Sequence, residues 1–305
     1  MNKSNIPNLF LIGAPKAGTS ALASQLGQHP DIYMGAKEPR YFDARTFFDN
    51  KEDWPINDIN EYLRLFDCSQ ALNAQYRLDA SVFNMYSEES LNEILKLNPE
   101  AKFILVLRDP LTAAKSMHRQ RLKYVDLRMR EVSEDFAVCW NMLVQRKQGF
   151  GFPVGCRNKL LFRYDLLYAY ENYLPFIRAM IDKERIFFID YNEFKNSPDL
   201  IHQRIFRFLN VDPFNVRSSI VNSSDVVKLN LKNRLVHRTR SILGPISKSL
   251  GLSGSNISRK MSAILSYDVD NRVVAKSEID KIVAESFKES YAAMKSALLD
   301  NAITR

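Results

Sequence analysis

The chain has 305 residues, of which 46% are apolar, 26% charged and 11% aromatic, with a formal net charge of +8. This is the composition of an ordinary globular protein, long enough for one large α/β domain or two small ones. No run approaches the ~20 consecutive apolar residues that cross a bilayer as a helix, which excludes a transmembrane helix.

The opening stretch MNKSNIPNLF has no apolar core of a signal peptide, so a cytoplasmic location is expected. Cys68, Cys139 and Cys156 are scattered, with no CxxC pair and no zinc spacing, and read as reduced thiols. The positive charge is uneven. Between Asp225 and Asp268 there is no acidic residue, while Lys228, Lys232, Arg234, Arg238, Arg240, Lys248, Arg259 and Lys260 fall within that interval. Such a field suits an anionic ligand, an acidic glycan or a membrane surface, and equally describes a solvated basic helix face.

In chain order, NLFLIG (8–13) predicts a short buried strand that runs straight into a glycine loop, and 18–28 predicts a helix with Ala21, Leu22 and Leu26 on one face. HPDIYM (29–34) predicts a turn and a second strand. Residues 87–97 predict a helix opened by a serine cap. The run Phe103–Leu107 within KFILVLRDP is the clearest buried parallel strand, followed by a helix capped by Asp109 with Pro110 in its first turn. A helix is expected over 131–148, a strand over 185–191, a helix over 198–209 and a last long helix over 276–299. Strands alternating with helices predict a mainly parallel sheet flanked on both faces in a single P-loop-like domain, 1–305. The nucleotide-binding core spans about 7–210, and a basic closing segment with the C-terminal helix spans about 220–300. The Gly- and Ser-rich stretch 244–258 predicts a mobile loop.

The segment LIGAPKAGTS (11–20) nearly spells a Walker A loop, in which Gly, four residues, Gly, Lys and Ser or Thr cradle a nucleotide phosphate. Gly13, Gly18 and Ser20 fit that pattern, but Thr19 stands where the lysine belongs and the lysine sits inside the loop at Lys16. The strand 103–107 ends in Arg108 and offers no metal-holding carboxylate, so a magnesium-bound triphosphate fits poorly. A ligand with a 5′-phosphosulfate and a separate 3′-phosphate fits better. Lys16 would meet the charge that develops as sulfur departs, loop amides and hydroxyls from Ala17, Gly18, Thr19 and Ser20 would hold the 5′-phosphate, and Arg108 with Ser116 would hold the 3′-phosphate.

PKAGTSAL (15–22) resembles the 5′-phosphosulfate loop of sulfotransferases that use 3′-phosphoadenosine 5′-phosphosulfate, and LRDPLTAAKSMHRQ (107–120) resembles their 3′-phosphate motif. The likeness leans toward the heparan-sulfate and bacterial carbohydrate branch. HPDIYMGAKEPRYFD (29–43), FFIDYNEFKNSPDLIHQRIFRFLNV (187–211) and VNSSDVVKLNLKNRLVHR (221–238) also resemble segments of that branch. The resemblance covers roughly 7–240. It implies that 3′-phosphoadenosine 5′-phosphosulfate is the donor, that no metal is needed, that Lys232 and Arg234 close over the nucleotide, and that the acceptor is a hydroxyl or amine of a carbohydrate or glycoconjugate. The sequence departs from the family twice. Ala80 in DASVFNMY (79–86) stands where the family often has a second cation, and Arg40 stands where glucosaminyl 3-O-sulfotransferases carry a histidine.

Transfer to a hydroxyl needs a proton acceptor. Spacing alone leaves Glu38 either as that base or as a loop carboxylate paired with Lys37 or Arg40. The resemblance implies the base; partial burial among Tyr33, Tyr41 and Phe42 would raise its pKa, and Asp43 is a candidate second carboxylate. His118, on the helix after Arg108, reads as a surface or half-buried helix residue and is the other candidate. Two further readings are a P-loop kinase or NTPase acting on a small molecule, and a basic module that binds nucleic acid or a membrane through 228–260. The first lacks the lysine after Gly18, and the second lacks an aromatic stacking pattern and leaves both anion motifs unexplained.

Overall fold

The computed structural model describes residues 5–48, 50–217 and 276–303. Their elements are β1 (Leu9–Gly13), α1 (Thr19–Leu26), β2 (Ile32–Met34), α2 (Ala44–Phe47), α3 (Ile59–Arg64), α4 (Ser69–Asn73), β3 (Tyr76–Asp79), α5 (Glu88–Leu97), β4 (Lys102–Leu107), α6 (Pro110–Leu122), α7 (Phe136–Asn141), α8 (Leu143–Lys147), α9 (Tyr164–Leu167), α10 (Tyr170–Met180), β5 (Ile186–Asp190), α11 (Tyr191–Asn196), α12 (Pro198–Leu209), α13 (Lys276–Ser286) and α14 (Lys288–Ile303).

The strands form one all-parallel sheet in the order β2-β3-β1-β4-β5. Every residue of β1 is buried, as is Phe103–Leu107 of β4, because helices cover the sheet and leave its apolar runs no exposed side. The register sets Leu9 beside both Leu78 and Lys102, and Leu107 beside Asp190. The order places β1 at the switch point, with β3 on one side and β4 on the other. Among the packing contacts, α14 lies against α10 and β5, and α13 lies against α6.

The sequence-level helix signals act as expected at Ser87 and Asp109. The Ser87 hydroxyl accepts from the Ser90 amide at 3.1 Å, and the Asp109 carboxylate accepts from the Thr112 amide at 2.7 Å with Pro110 in the first turn. Asn210 closes α12 in the left-handed region, φ 56°.

Elsewhere the structure differs from the sequence pattern. β3 has no apolar run to announce it: YRLD carries an arginine and an aspartate. It is held from outside, between β2 and β1, while Arg77 folds back onto the carbonyls of Ile6 (2.8 Å) and Ala74 (3.0 Å). The helix expected over 131–148 starts only at Phe136 and is broken into α7 and α8. Asp135 caps α7 through the Ala137 amide at 2.8 Å, and Glu131 turns inward instead of joining a helix. The C-terminal helix is likewise two helices, α13 and α14. The stretch 244–258, expected to be a mobile loop, and the basic interval 225–268 lie outside the described residues.

Glu131 and Arg146 form a salt bridge with both side chains fully buried. Tyr164 donates its hydroxyl to Glu131, while Arg146 also reaches the carbonyls of Phe162 (2.9 Å) and Gly151 (3.0 Å). With every polar atom engaged, the pair fixes the loops around α8 and α9 in one arrangement. Deleting one partner strands the other charge in the interior. Glu131→Ala is therefore expected to cost about 3–5 kcal/mol in denaturant unfolding. A loss below about 1 kcal/mol, the scale of an exposed pair, would show that the pair does not hold these loops.

Candidate active site

Parallel strands end at one edge of the sheet, and the segment after each strand is delivered there. β1 delivers the 13–20 loop, β2 delivers Lys37 to Asp43, β3 delivers Ser81 to Asn84, β4 delivers Arg108 and β5 delivers Tyr191.

The loop after β1 turns directly into the start of α1. The first amides of any helix lack intrahelical acceptors, and α1 begins without a side-chain cap, because its capping residue is Gly18. Gly18 is in the left-handed region at φ 78°, and a Cβ there would meet the Tyr191 ring at 3.2 Å, so both backbone and space demand glycine. The Ala17 amide is spent inside the loop on the Ala14 carbonyl (3.2 Å), leaving the amides that open α1, with the Thr19 and Ser20 hydroxyls, as the donors.

Lys16 also adopts a left-handed backbone, φ 67°, an unfavourable conformation for a side-chain-bearing residue that must be fastened by its surroundings. Two bonds do so: Arg108 Nη1 donates to the Lys16 carbonyl at 2.7 Å, and the Tyr168 hydroxyl donates to the Pro15 carbonyl at 3.3 Å. Burial, followed by the charges of Arg108, Arg121, Lys123 and Lys37, lowers the Lys16 ammonium pKa to about 8. A half-buried amine in such a cationic field is stabilised by a bound anion. Arg108 is spread over Tyr191, its guanidinium carbon 4.3 Å from the ring centre, with Nε on the Thr112 hydroxyl at 3.2 Å.

The segment after β2 joins this loop through one residue that motif reading passed over. Lys37 donates to the Ser20 hydroxyl and lies 3.7 Å from Glu38. Glu38 in turn pairs with Arg40, and Arg40 with Asp43 at 3.3 Å. Glu38 and Arg40 both have left-handed backbones, at φ 53° and 56°. Arg40 is held by the Ser81 hydroxyl on its amide (3.1 Å) and by the Phe47 ring 3.5 Å beneath its guanidinium. The surroundings of Glu38 are therefore two cations, with its side chain 25% exposed, and not the apolar wall expected from Tyr33, Tyr41 and Phe42. Those rings face elsewhere: Tyr33 reaches the Leu65 carbonyl, Tyr41 stacks on Tyr62 and Phe42 packs on Phe10.

Beneath Arg40, Asp43 and Asp79 are fully buried. Asp79 accepts from the Tyr62 hydroxyl (2.6 Å) and the Ser81 amide (2.8 Å). Asp43 accepts from Arg40 and the Phe83 amide (3.2 Å), while its Oδ1 has no partner among the described residues. Burial raises the Asp43 pKa from 3.8 to about 7 against the opposing pull of Arg40.

Among the residues expected from sequence, Lys16 and Arg108 are brought into direct contact, and Ser20 is linked to Glu38 through Lys37. Ser116 is half-buried on α6, with no side-chain bond to Lys16 or Arg108. His118 is buried, its Nε2 3.0 Å from the Ser133 carbonyl and its ring edge-on to Phe136, as befits a packed residue. Lys232 and Arg234 lie outside the described residues. Among the described residues no group of three or more His, Cys, Asp or Glu is placed to hold a metal ion, and no helix is long and apolar enough to cross a membrane.

Fold and site together define an α/β protein with a P-loop-like loop whose lysine lies inside the turn. The chain belongs to the sulfotransferase family, whose family-level pattern matches residues 7–169, just over half of its length. It is an enzyme of the sulfotransferase type, with its likeness in the heparan-sulfate branch. It is 29% identical over 121 residues to human bifunctional heparan sulfate N-deacetylase/N-sulfotransferase 3, covering 40% of this chain and 14% of that protein. It is 30% identical over 117 residues to human heparan sulfate glucosamine 3-O-sulfotransferase 3B1, covering 38% and 27%. The chain thus spans well under a third of the length of these relatives. A crystal structure of a sulfotransferase from Alicyclobacillus acidocaldarius superposes with a TM-score of 0.59 at 24% identity, covering 78% of this chain and 95% of that one, a likeness of fold.

The raised Asp43 pKa carries a sign that can be checked. Between 3.8 and about 7 the folded protein holds a proton on Asp43 that the unfolded chain has lost, so this group makes stability fall as pH rises through that window. Asp79, raised by burial, contributes in the same direction. Asp43→Asn is expected to flatten the loss of stability between pH 4 and 7 in denaturant titrations. An unchanged slope would mean that Asp43 is ionised throughout.

Proposed function

We propose that the protein transfers a sulfuryl group from 3′-phosphoadenosine 5′-phosphosulfate to a hydroxyl or amine of a carbohydrate-type acceptor. The observation that carries this reading is the uncapped start of α1 with Lys16 folded into its loop and Arg108 tied to the same loop. A triphosphate site needs a lysine beyond the second glycine and a metal-holding hydroxyl and carboxylate. Here Thr19 occupies the lysine's place and Asp109 is engaged as the α6 cap.

In this mechanism the opening amides of α1 and the Thr19 and Ser20 hydroxyls hold the 5′-phosphate, while Arg108 and Ser116 hold the 3′-phosphate. Lys232 and Arg234 are proposed to close over the nucleotide. Glu38 takes the proton from the acceptor hydroxyl as its oxygen forms a bond to sulfur. The bond from sulfur to the bridging oxygen breaks, and its electron pair stays on the 5′-phosphate, where the Lys16 ammonium meets the added charge. Donor binding favours the ammonium form of Lys16 and so offsets the lowering caused by its cationic neighbours. Arg40, a fork of N–H donors with no acceptor, orients Glu38. The heparan-sulfate relatives favour a sugar acceptor, and the lysine- and arginine-rich surroundings of Glu38 are compatible with an anionic one.

The direct test is calorimetry with 3′-phosphoadenosine 5′-phosphate against ATP, with and without magnesium. Binding of the former without metal is expected; a site that takes only magnesium–ATP sinks the reading. In the same experiment Arg108→Ala should weaken the 3′-phosphorylated nucleotide by about 2–5 kcal/mol, as for a charged contact losing one partner, and barely affect an analogue without the 3′-phosphate. Equal losses on both nucleotides would assign Arg108 to the clasp on the loop alone.

Glu38→Gln keeps the size of the side chain and removes the proton acceptor. Donor affinity should persist while transfer falls by about 10²–10⁴, the usual worth of a positioned general base. Transfer at the wild-type rate by Glu38→Gln, with His118→Ala inactive, would move the base to α6.

A further inference from the structure

One charged side chain near the loop has no counterpart in the mechanism above. Arg121 lies in the last turn of α6 and is only 2% exposed. Its Nε and Nη1 are buried with no hydrogen-bond partner among the described residues, and no carboxylate there pairs with it. The buried Glu131 is already taken by Arg146 and by the Tyr164 hydroxyl. Tyr124 lies 4.0 Å from the Arg121 guanidinium carbon and its hydroxyl bonds to that side chain, yet Nε and Nη1 are left without an acceptor among the described residues. A buried guanidinium left in this state is costly unless a ligand brings the missing anion.

The geometry of α6 places that anion. Arg121 is five residues beyond Ser116, about 140° around the helix, so the two do not face the same ligand group. It shares its face instead with the buried Ala114, Met117 and His118. That face packs against α9, where His118 meets the Tyr164 ring at 6.4 Å. The residue closing α9 is Tyr168, which holds the Pro15 carbonyl of the anion loop. α9 and Tyr168 thus link the face that carries Arg121 to the anion loop, and the Arg121 charge helps lower the Lys16 ammonium pKa. The end of β3 offers no cation from the opposite direction, since Ala80 occupies it, 1% exposed.

Resting on the donor assignment above, we propose that Arg121 binds the sulfonate oxygens of the donor's transferring group, as the second cation of the reaction centre. Its planar pair of N–H donors suits the oxygens that keep their charge while sulfur passes from the phosphate oxygen to the acceptor. Lys16 serves the oxygen left behind, and Arg121 serves the group that moves.

The test compares nucleotides that differ by that group. Arg121→Met and Arg121→Lys are titrated with 3′-phosphoadenosine 5′-phosphosulfate and with 3′-phosphoadenosine 5′-phosphate, and each variant is melted without ligand. For Arg121→Met the sulfonated donor should lose about 10- to 100-fold in affinity, the worth of a hydrogen bond to a charged group, while the desulfated nucleotide binds as before. Arg121→Lys should recover part of the loss. Removing an unpaired buried charge should also raise the melting temperature of the free Arg121→Met protein, where loss of a merely structural arginine would lower it. Equal losses on both nucleotides, or a lower melting temperature with unchanged discrimination, would overturn the proposal. Wild-type protein that binds neither nucleotide would overturn the donor assignment itself, a result distinct from the failure of Arg121 alone.

Discussion

The hydrogen bond from Arg108 to the Lys16 carbonyl ties the first strand's loop to the end of the fourth strand, and the rest of the site is arranged around it. Without that bond, a lysine in the left-handed region and a helix beginning on an uncapped glycine would have little to hold them in register. The bond also couples two tasks. The guanidinium that fixes the loop is the one aimed, over Tyr191, at the region where a second anion is expected. The site is therefore preorganised by backbone contacts, and its donors need little rearrangement when charge arrives.

Electrostatically, the edge of the sheet is divided. On the loop side Lys16 feels Arg108, Arg121, Lys123 and Lys37, and its lowered pKa registers burial first and their repulsion second. On the β2 side the cations are balanced: Lys37 and Arg40 flank Glu38, and Arg40 is shared with Asp43. An uncompensated cluster beside a compensated one is what a transfer site requires. In the proposed reaction the first would attract an anion, while the second keeps a carboxylate in place. Arg40 is well suited to that holding role because its charge is permanent and its fork spans two carboxylates.

Some tension remains stored beneath the site. Asp43 and Asp79 are both buried and both raised toward protonation by burial, with Arg40 the nearby cation that opposes this for each. This carboxylate layer links the left-handed turn of Glu38 and Arg40 to the end of β3 through Ser81. Its cost in stability accords with the general pattern that strained and charged groups gather where function is located.

The sequence by itself determined the alternation of strand and helix, the parallel sheet, the caps at Ser87 and Asp109 and the anion loop, because each is written in contiguous residues: an apolar run, a capping side chain, a glycine pair. Only the tertiary structure decided the rest. β3 is a strand because its neighbours pair with it, not because YRLD favours one. Glu38 reads the same in sequence whether it sits among aromatic rings or between two cations, and only folding placed Lys37 on Ser20 and Arg40 beneath the turn. Arg121 is one arginine among several in a basic helix until folding buries it and leaves its Nε and Nη1 without a partner among the described residues. Burial and the presence or absence of a partner are properties of distant segments brought together, and no local pattern encodes them.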